Sequence, residues 1–365
     1  MIYLSTFAAL ALAYGAMHRM RLRTTAACVA ALVLATVAAL RGPDVASDYL
    51  VYEDWYQWGL DSTFVERALF FESLYFSISE LLSQSEVPFR VFLWLLAAIS
   101  VYVKASVIIK FSSRSRASAL ALLIYAVSFY LLHDFTQIRA GVAIALLFAA
   151  LWARANDRLW QFFMLTLLAT GFHTSAILAL LFALPADGRL ARAIDIAILS
   201  VTVTLLGLAL LGQVPAEQLI TGLSQLDPRL SLYVERSTSF ESDAANPFSI
   251  PSLLALGTAL SLFLQLRFRA SSHRVDRRDI LALVHFRRSV LIGICCLVSL
   301  YPFREISLRI YEISIAFIPI AAAVVFSRPR MLLTKSFILL WAAATAYVYI
   351  FREDPLVQPY MIALQ

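Results

Sequence analysis

Charged residues are scarce in this chain of 365 residues: Asp, Glu, Lys and Arg make up only 15% of it, while 61% is hydrophobic. A soluble domain of this length needs more polar surface, and the mean hydropathy of +0.78 excludes one here. The net charge of +6 does not indicate nucleic-acid binding, because the basic residues lie in short connections between apolar runs and form no single basic face. The composition therefore indicates a polytopic integral membrane protein.

Cysteine is also rare, and its placement argues against two further classes of protein. Cys28, Cys295 and Cys296 lie within apolar runs and have neither C-x-x-C spacing nor a paired histidine, so we expect no disulfide framework and no zinc site. The chain has no glycine-rich α/β segment that would hold a nucleotide sugar, and no internal repeat. We expect no cofactor and no metal.

The first apolar run lacks the basic residues that precede a cleavable signal. Residues 2–17 are apolar, and Arg19, Arg21 and Arg23 follow them. This order predicts a retained helix with its N-terminus outside.

Eleven apolar runs are long enough to cross or enter a bilayer. They fall at about 2–17, 24–40, 90–109, 117–132, 137–153, 159–185, 193–211, 249–266, 289–303, 306–326 and 331–350. Two connections are acidic: residues 41–90 hold nine acids against three arginines, and 212–248 hold five against two. Six connections are basic: Arg19–Arg23, Lys110–Arg116, Arg154–Arg158, Arg189–Arg192, Arg267–Arg288 and Arg328–Lys335. We predict an all-α protein of about 11–12 transmembrane or re-entrant helices, one membrane-embedded domain over 1–365, with 41–90 and 212–248 as outer-side loops.

The run 159–185 has a basic connection on each side, Arg154–Arg158 before it and Arg189–Arg192 after it. It must therefore enter and leave on the same side, yet it is too short for two full crossings. We predict two short or re-entrant helices with a bend at Gly171–His173, which places His173 in the outer half of the bilayer.

The outer loop 41–90 contains two patterns typical of amphipathic helices at the interface. Asp48, Tyr52 and Tyr56 recur every four residues, and Thr63-x-x-Glu66 is a capping box before a helical apolar pattern. With Trp55 beside them, Tyr52 and Tyr56 suit a wall that binds sugar.

Ionisable residues that interrupt or border the apolar runs are the candidates for function, because such groups are costly in a membrane. They are Arg41, Asp48, Glu72, Arg139, His173, Arg304 and Arg309. Asp48, Glu72 and His173 are each candidates for a general base, against the alternatives of a solvated acid or a hydrogen-bonded helix contact. His18, His133, His273 and His285 are expected at interfaces or in loops.

Arg139 is the clearest of these candidates. Asp134-x-x-Gln137 predicts a helix N-cap, which places Arg139 in the first turns, at the positive end of the helix dipole. This position is unfavourable unless an anion such as phosphate is bound, although a snorkelling arginine or an ion pair with Asp134 is the alternative. Arg304 and Arg309 lie on the same side, where pairs of Arg309 with Glu305 and Glu312 compete with binding of a diphosphate.

Three motifs resemble a known family. Leu40-Arg41 with Val45-Ala46-Ser47-Asp48-Tyr49-x-x-Tyr52 resembles the L-R…V-G-T-D-Y-x-x-Y signature of EpsG-like, Wzy-type polysaccharide polymerases. Ile138–Ala143 is similar to that family's I-R-Q-G-L-A, and Phe172–Ala176 to its F-H-x-S-A, while Glu72 falls where a glutamate is common and Arg309-Ile310-Tyr311 is a weaker match. Ala46, Ser47 and Ala140 depart from the pattern, the last of them beside Arg139.

The resemblance implies a membrane glycosyltransferase with a C-type fold in the bacterial inner membrane, active toward the periplasm. It would transfer a glycan of the O-antigen, capsule or exopolysaccharide type from undecaprenyl diphosphate to the non-reducing end of a lipid-linked repeat unit. The implied partners are this oligosaccharide lipid, membrane lipid and a chain-length regulator protein, with no nucleic acid. Arg41, Arg139, Arg304 and Arg309 would bind the diphosphate, and Tyr52, Trp55 and Tyr56 the sugars.

Three other functions stay open on the sequence. A transporter or flippase for an anionic or lipid-linked solute would also place arginines and broken helices in the bilayer, but repeated halves would be expected of it. An O-antigen ligase would share the arginines and the histidine. A membrane O-acyltransferase would need a histidine reached from the cytoplasm, which is the opposite side from the predicted position of His173.

Overall fold

The computed structural model describes residues 20–46, 48–57, 72–112, 114–214, 222, 244–267 and 276–351. The regular elements of this part of the chain are helices, as predicted. The α-helices are α1 Met20–Ala39, α2 Tyr49–Gln57, α3 Ser73–Gln84, α4 Phe89–Lys110, α5 Ser115–Tyr125, α6 Ile138–Ala155, α7 Leu159–Phe172, α8 Gly188–Leu210, α9 Ile250–Arg267, α10 Arg277–Ser299, α11 Arg304–Ile315, α12 Ile318–Phe326 and α13 Leu332–Phe351.

The protein is a multi-pass membrane protein. Among the described residues, seven helical stretches are long and apolar enough to cross a membrane. They are α4, α5 with its continuation to Thr136, α6, α8, α10, α11 joined to α12, and α13. Shorter apolar helices occupy Cys28–Ala39, Leu159–Phe172, Thr174–Ala183 and Ile250–Leu266. Each predicted apolar run from 24–40 onward therefore contains helix, while 2–17 lies outside the described residues.

One cluster of buried hydrophobic residues extends from Ala31 in α1 to Ala342 in α13. Small residues such as Ala143 and Ala150 are fully buried on α6 and let neighbouring helices approach closely. By contrast, α8 is mostly exposed along its length, and a bilayer would cover this apolar face. That the whole chain is one domain stays a prediction.

The run 159–185 folds as two short arms with a break at His173, which confirms the predicted bend. The first arm is α7, and the second, Thr174–Ala183, is a 3₁₀ helix of ten residues. Fourteen α-helical residues rise about 21 Å at 1.5 Å each, and ten 3₁₀ residues return about 20 Å at 2.0 Å each. The tighter second arm therefore returns the chain to the level at which it entered, and His173 lies at the tip.

The outer loop contains two helices where amphipathic patterns were predicted, α2 and α3. Tyr49, Tyr52 and Tyr56 form the buried face of α2, while Asp48 immediately precedes that helix. Glu72 occupies the N-cap position of α3. The Thr63-x-x-Glu66 capping box, Ser47, and nearly all of 212–248 lie outside the described residues.

Two arginines that the sequence placed in a basic connection lie inside the protein. The prediction that 267–288 is a connection is wrong from Arg277 onward, because α10 begins there. Arg287 and Arg288 are buried and both donate to Asp195 of α8, with Arg288 Nε 2.6 Å from Asp195 Oδ1. Arg288 also donates to the carbonyl of Pro185 at 2.7 Å. An acid on the neighbouring helix thus compensates both charges and attaches α8 to the bundle.

The prediction for His133 and His285 was also wrong, because both side chains are fully buried. His133 stacks on Phe129 with ring centroids 5.6 Å apart, and His285 packs on Phe182 at 5.3 Å. Aromatic neighbours accommodate the neutral imidazole in the interior.

Candidate functional site

A single carboxylate joins two of the predicted site residues. Glu72 accepts a hydrogen bond from Arg139 Nη1 at Oε2, and its Oε1 lies 3.0 Å from Nδ1 of His173. The three side chains are 16%, 17% and 13% exposed, respectively, so they are mostly buried but can still be reached. The residue before α3, the first turn of α6 and the tip of the hairpin formed by 159–183 therefore meet at one point.

The electrostatics of this group hold Glu72 in its charged form. Burial alone would raise the pKa of the Glu72 carboxyl, but the hydrogen bond from His173 and the charges of Arg139, His173 and Arg309 lower it to about 2. An ionised carboxylate only accepts hydrogen bonds, so Nδ1 of His173 must carry a proton. In the neutral imidazole the lone pair is then on Nε2, which can accept a proton from a substrate.

Three aromatic rings surround the guanidinium of Arg139. Its Cζ lies 4.7 Å from the centroid of Trp55, 5.5 Å from that of Tyr52 and 5.6 Å from that of Tyr75. Cation–π contacts of this kind stabilise a partly desolvated arginine by about 0.5–2 kcal/mol each. Tyr52 and Trp55, predicted to bind sugar, thus contact Arg139, and their role in sugar binding stays a prediction.

Two close contacts at glycines explain why these elements come together. Gly171, in the last turn of α7, faces Leu74: a Cβ there would lie 2.7 Å from Leu74 Cδ1, so the absent side chain lets α3 bring Glu72 beside His173. Gly141 in α6 faces the backbone of His133, and a Cβ would lie 2.7 Å from that carbonyl oxygen. Glycine therefore leaves room for the Leu74 side chain at one position and for the close approach of two backbone segments at the other.

A second group of charges flanks the same site. Arg309 of α11 acts on the Glu72 carboxylate, is 45% exposed, and lies 3.9 Å from Glu305 in the predicted i,i+4 pair. Glu312, one turn further, interacts with Arg309 and with Gln137, which directly precedes α6. Arg309 therefore acts electrostatically on the carboxylate that Arg139 contacts, while Arg304 is exposed at the first residue of α11.

Arg41 and Asp48 interact with each other. Arg41 is fully buried, donates to the Ala38 carbonyl at 2.6 Å, and packs against Tyr49 and Phe135 with distances of 5.4 and 5.1 Å from Cζ to the ring centroids. Burial lowers the pKa of its guanidinium to about 10, so it stays charged at neutral pH. Asp48 is half-buried and acts electrostatically on Arg41. The predicted diphosphate contact of Arg41 would require an opening of this packing.

Tyr56 has a different setting from the one expected of a sugar-binding residue. It is buried, its hydroxyl donates to the Val87 carbonyl at 2.6 Å, and its ring stacks on Phe92 with centroids 4.9 Å apart. These contacts attach α2 to α4.

The predicted N-cap at Asp134 was wrong. Asp134 lies within a helical segment that continues α5, α6 begins after Gln137 without a side-chain cap, and Arg139 pairs with Glu72 instead of Asp134. Asp134 instead pairs with Lys104.

Lys104 and Tyr75 were not among the predicted site residues. Lys104 is an isolated charge within the apolar run 90–109, and such a charge is a signal of function in a membrane protein. Tyr75 lies three residues after Glu72, a spacing that puts both on one face of a helix.

Replacement of Gly141 by alanine should displace the start of α6. The new Cβ would lie 2.7 Å from a backbone oxygen that cannot rotate away, and overpacking of this kind costs about 1–3 kcal/mol. We expect a lower midpoint of thermal unfolding in detergent. Gly207→Ala in α8 is the matched control, since nothing lies within 4 Å of a Cβ there. Equal stability of the two variants would contradict the proposed close contact.

Together, the fold and the site define a polytopic membrane protein with an arginine, a histidine and a glutamate joined at one end of its bundle. The chain belongs to the EpsG family, whose model matches residues 24–362. No curated protein and no solved structure matches the chain.

Proposed function

We propose that this protein polymerises lipid-linked oligosaccharide repeat units of an O-antigen, capsule or exopolysaccharide. The reaction transfers a glycan from undecaprenyl diphosphate to a hydroxyl at the non-reducing end of an acceptor repeat. The observation that carries the proposal is the junction of Arg139 and His173 on Glu72, because it combines an anion-binding group with a base. Membership of the EpsG family supports a role in polysaccharide synthesis.

Arg139 and Arg309 are the groups that would bind the donor diphosphate. A guanidinium has five N–H donors, so Arg139 can keep its bond to Glu72 and still present donors to phosphate oxygens. As the bond between the sugar and the diphosphate breaks, negative charge grows on the leaving oxygen. Cationic donors fixed by aromatic rings stabilise that charge without reorganisation.

His173 is the best-supported base among the three candidates. The carboxylate of Glu72 accepts from two cationic or polar donors and has its pKa lowered to about 2, so it is a weak proton acceptor. It acts instead by fixing the tautomer of His173 and stabilising the imidazolium. Nε2 of His173 takes the proton of the acceptor hydroxyl while the new glycosidic bond forms and undecaprenyl diphosphate leaves. A role of Asp48 as the base stays a prediction.

The site would face the periplasmic side of a bacterial inner membrane. The basic connections at Lys110–Arg116 and Arg154–Arg158 lie at the opposite ends of α4 and α6 from Arg139, and basic connections stay in the cytoplasm. The diphosphate of a translocated lipid lies at the outer headgroup level, near the start of α6. Membrane lipid and a chain-length regulator protein are the further partners that we propose.

Purified protein in proteoliposomes, incubated with a lipid-linked repeat unit, should produce a ladder of glycans that differ by one repeat. A gel of the released glycans is the measurement, and protein-free liposomes are the control. Transfer of lipid between leaflets without new glycosidic bonds would favour a flippase instead. Transfer only to a lipid A core acceptor would favour an O-antigen ligase.

A further inference from the structure

The segment that leads into α6 is wound as a π-helix over eleven residues, Ala126–Thr136. A π-helix is rare and usually limited to a single turn, often at a functional site. The bond from Gln137 N–H to the Leu132 carbonyl, 2.9 Å long, ends the segment in the same i→i+5 pattern. A segment of this length needs interactions that an α-helix of the same sequence would lack.

A buried charged network supplies such interactions. Nζ of Lys104 lies 2.8 Å from both carboxylate oxygens of Asp134, and both side chains are fully buried. The hydroxyl of Tyr125 donates to Oδ2 at 2.6 Å, and that of Ser100 donates to Oδ1. Each carboxylate oxygen therefore has two donors, which is the condition under which a buried ion pair is tolerated.

The spacing between Tyr125 and Asp134 ties this network to the π conformation. The two residues are nine positions apart, which is about two full turns at roughly 4.4 residues per π turn, so both face the same side. In an α-helix nine residues are about two and a half turns, which would place them on opposite sides. The hydrogen bond between them can form only when the segment keeps its wider winding.

The end of this π-helix packs against the first turns of α6, the helix that carries Arg139. A Cβ on Gly141 would lie 3.0 Å from Asp134 Oδ1 and 2.7 Å from the His133 carbonyl oxygen. Arg139 lies two residues before Gly141 in the first turn of α6. Rewinding of the π-helix would rotate its last residues and move the start of α6 with them.

We propose that Lys104, Asp134 and Tyr125 are positioning residues, whose buried network keeps 126–136 in the π conformation and thereby sets where Arg139 lies against Glu72. The catalytic consequence rests on the function proposed above, whereas the structural part does not. None of the three touches the proposed substrate, so they act through Arg139.

Tyr125→Phe tests this directly, because it removes one hydroxyl and keeps the ring. Tyr130→Phe is the matched control: Tyr130 is also buried, lies within the π-helix itself, and its hydroxyl donates to the Leu34 carbonyl at 2.6 Å instead of to Asp134. Hydrogen–deuterium exchange read by mass spectrometry should show faster exchange over 126–145 in Tyr125→Phe. In Tyr130→Phe the exchange over 138–145 should match the wild type.

Kinetics give the second readout. If Arg139 stabilises the leaving diphosphate, its displacement in Tyr125→Phe should lower kcat about tenfold or more, as small misplacements of catalytic groups do, with little change in KM. If the two substitutions only destabilise the fold, both Tyr125→Phe and Tyr130→Phe should reduce the amount of active protein without changing kcat per active molecule. Ser100→Ala, which removes a different donor to Asp134, should lower kcat in the same sense if Tyr125→Phe proves too unstable to purify.

The outcomes separate the two proposals. Unchanged exchange over 126–145 in Tyr125→Phe would overturn the role of the network, and faster exchange with an unchanged kcat would overturn its link to Arg139. If wild-type protein makes no polymer, the proposed function fails, and exchange over 138–145 alone decides whether the network holds α6 in place.

Discussion

Arg139→Ala should leave an inserted protein that makes no polymer, so that only single-repeat glycans accumulate. Loss of one preorganised donor to a developing oxyanion typically lowers kcat by about 10²–10³. Breaking a buried ion pair costs about 3–5 kcal/mol, and the lower end applies here because Arg139 and Glu72 keep 17% and 16% of their surface exposed. The measurement is the glycan ladder of cells that carry the variant. An immunoblot of the membrane fraction shows that the variant protein is present in a normal amount.

Arg328→Ala is the matched control for this variant. Arg328 is also 17% exposed and pairs with Asp279 at 2.6 Å, but it lies after α12, at the opposite end of the bundle from Arg139. It should lose a similar amount of stability and keep the polymer. Arg139→Lys should keep some activity, because the charge remains while the planar donor geometry is lost. Polymer of normal length from Arg139→Ala would contradict the proposed role of Arg139.

Glu72→Gln should impair both neighbours at once, since it replaces the acceptor of Arg139 and of His173. We expect polymer synthesis to fall at least about a hundredfold, and the double variant with His173→Gln to be little worse than the worse of the two single variants. Residues that act as a unit give such non-additive effects in a double-mutant cycle. Asp279→Asn, which removes the acid of the control pair with Arg328, should keep polymer synthesis.

The Glu72→Gln variant should also change how the free energy of unfolding depends on pH. The folded pKa of Glu72, about 2, lies below its ordinary value of 4.5. The carboxylate therefore stabilises the folded protein fully above about pH 4.5, and this contribution is lost as the pH falls toward 2. The difference in unfolding free energy between wild type and Glu72→Gln in detergent should shrink as the pH falls from 4.5 toward 2. A difference that grows over that range would contradict the assigned charge state of Glu72.

Much of the fold could be predicted because hydropathy and charge act locally along the chain. The helices from 24–40 onward and the bend at His173 followed from the lengths of the apolar runs and from which connections are basic. The prediction that Glu72, Arg139 and His173 matter followed from the cost of ionised groups near the membrane. The burial of Tyr56 and Arg41 could not be predicted in this way. Their positions in the sequence are the same whether their side chains face a substrate or pack in the protein interior.

The errors at Asp134, Arg287 and Arg288 have one physical origin. A polar residue near a helix end fits a cap or a loop equally well when only neighbours in sequence are considered. Its real partner can lie far away in the chain: Lys104 for Asp134, and Asp195 for the two arginines. The π winding of 126–136 depends on that distant lysine, so no local pattern signalled it.

The sequence by itself determined that the chain is helical and lies in a membrane, because these properties follow from hydrophobicity summed over short windows. The outer-side position of its unusual charges stays a prediction. Only the tertiary structure decided which charges pair, since Glu72 meets Arg139 and His173 across separations of 67 and 101 residues. Contacts of that range depend on how helices pack at glycines such as Gly141 and Gly171.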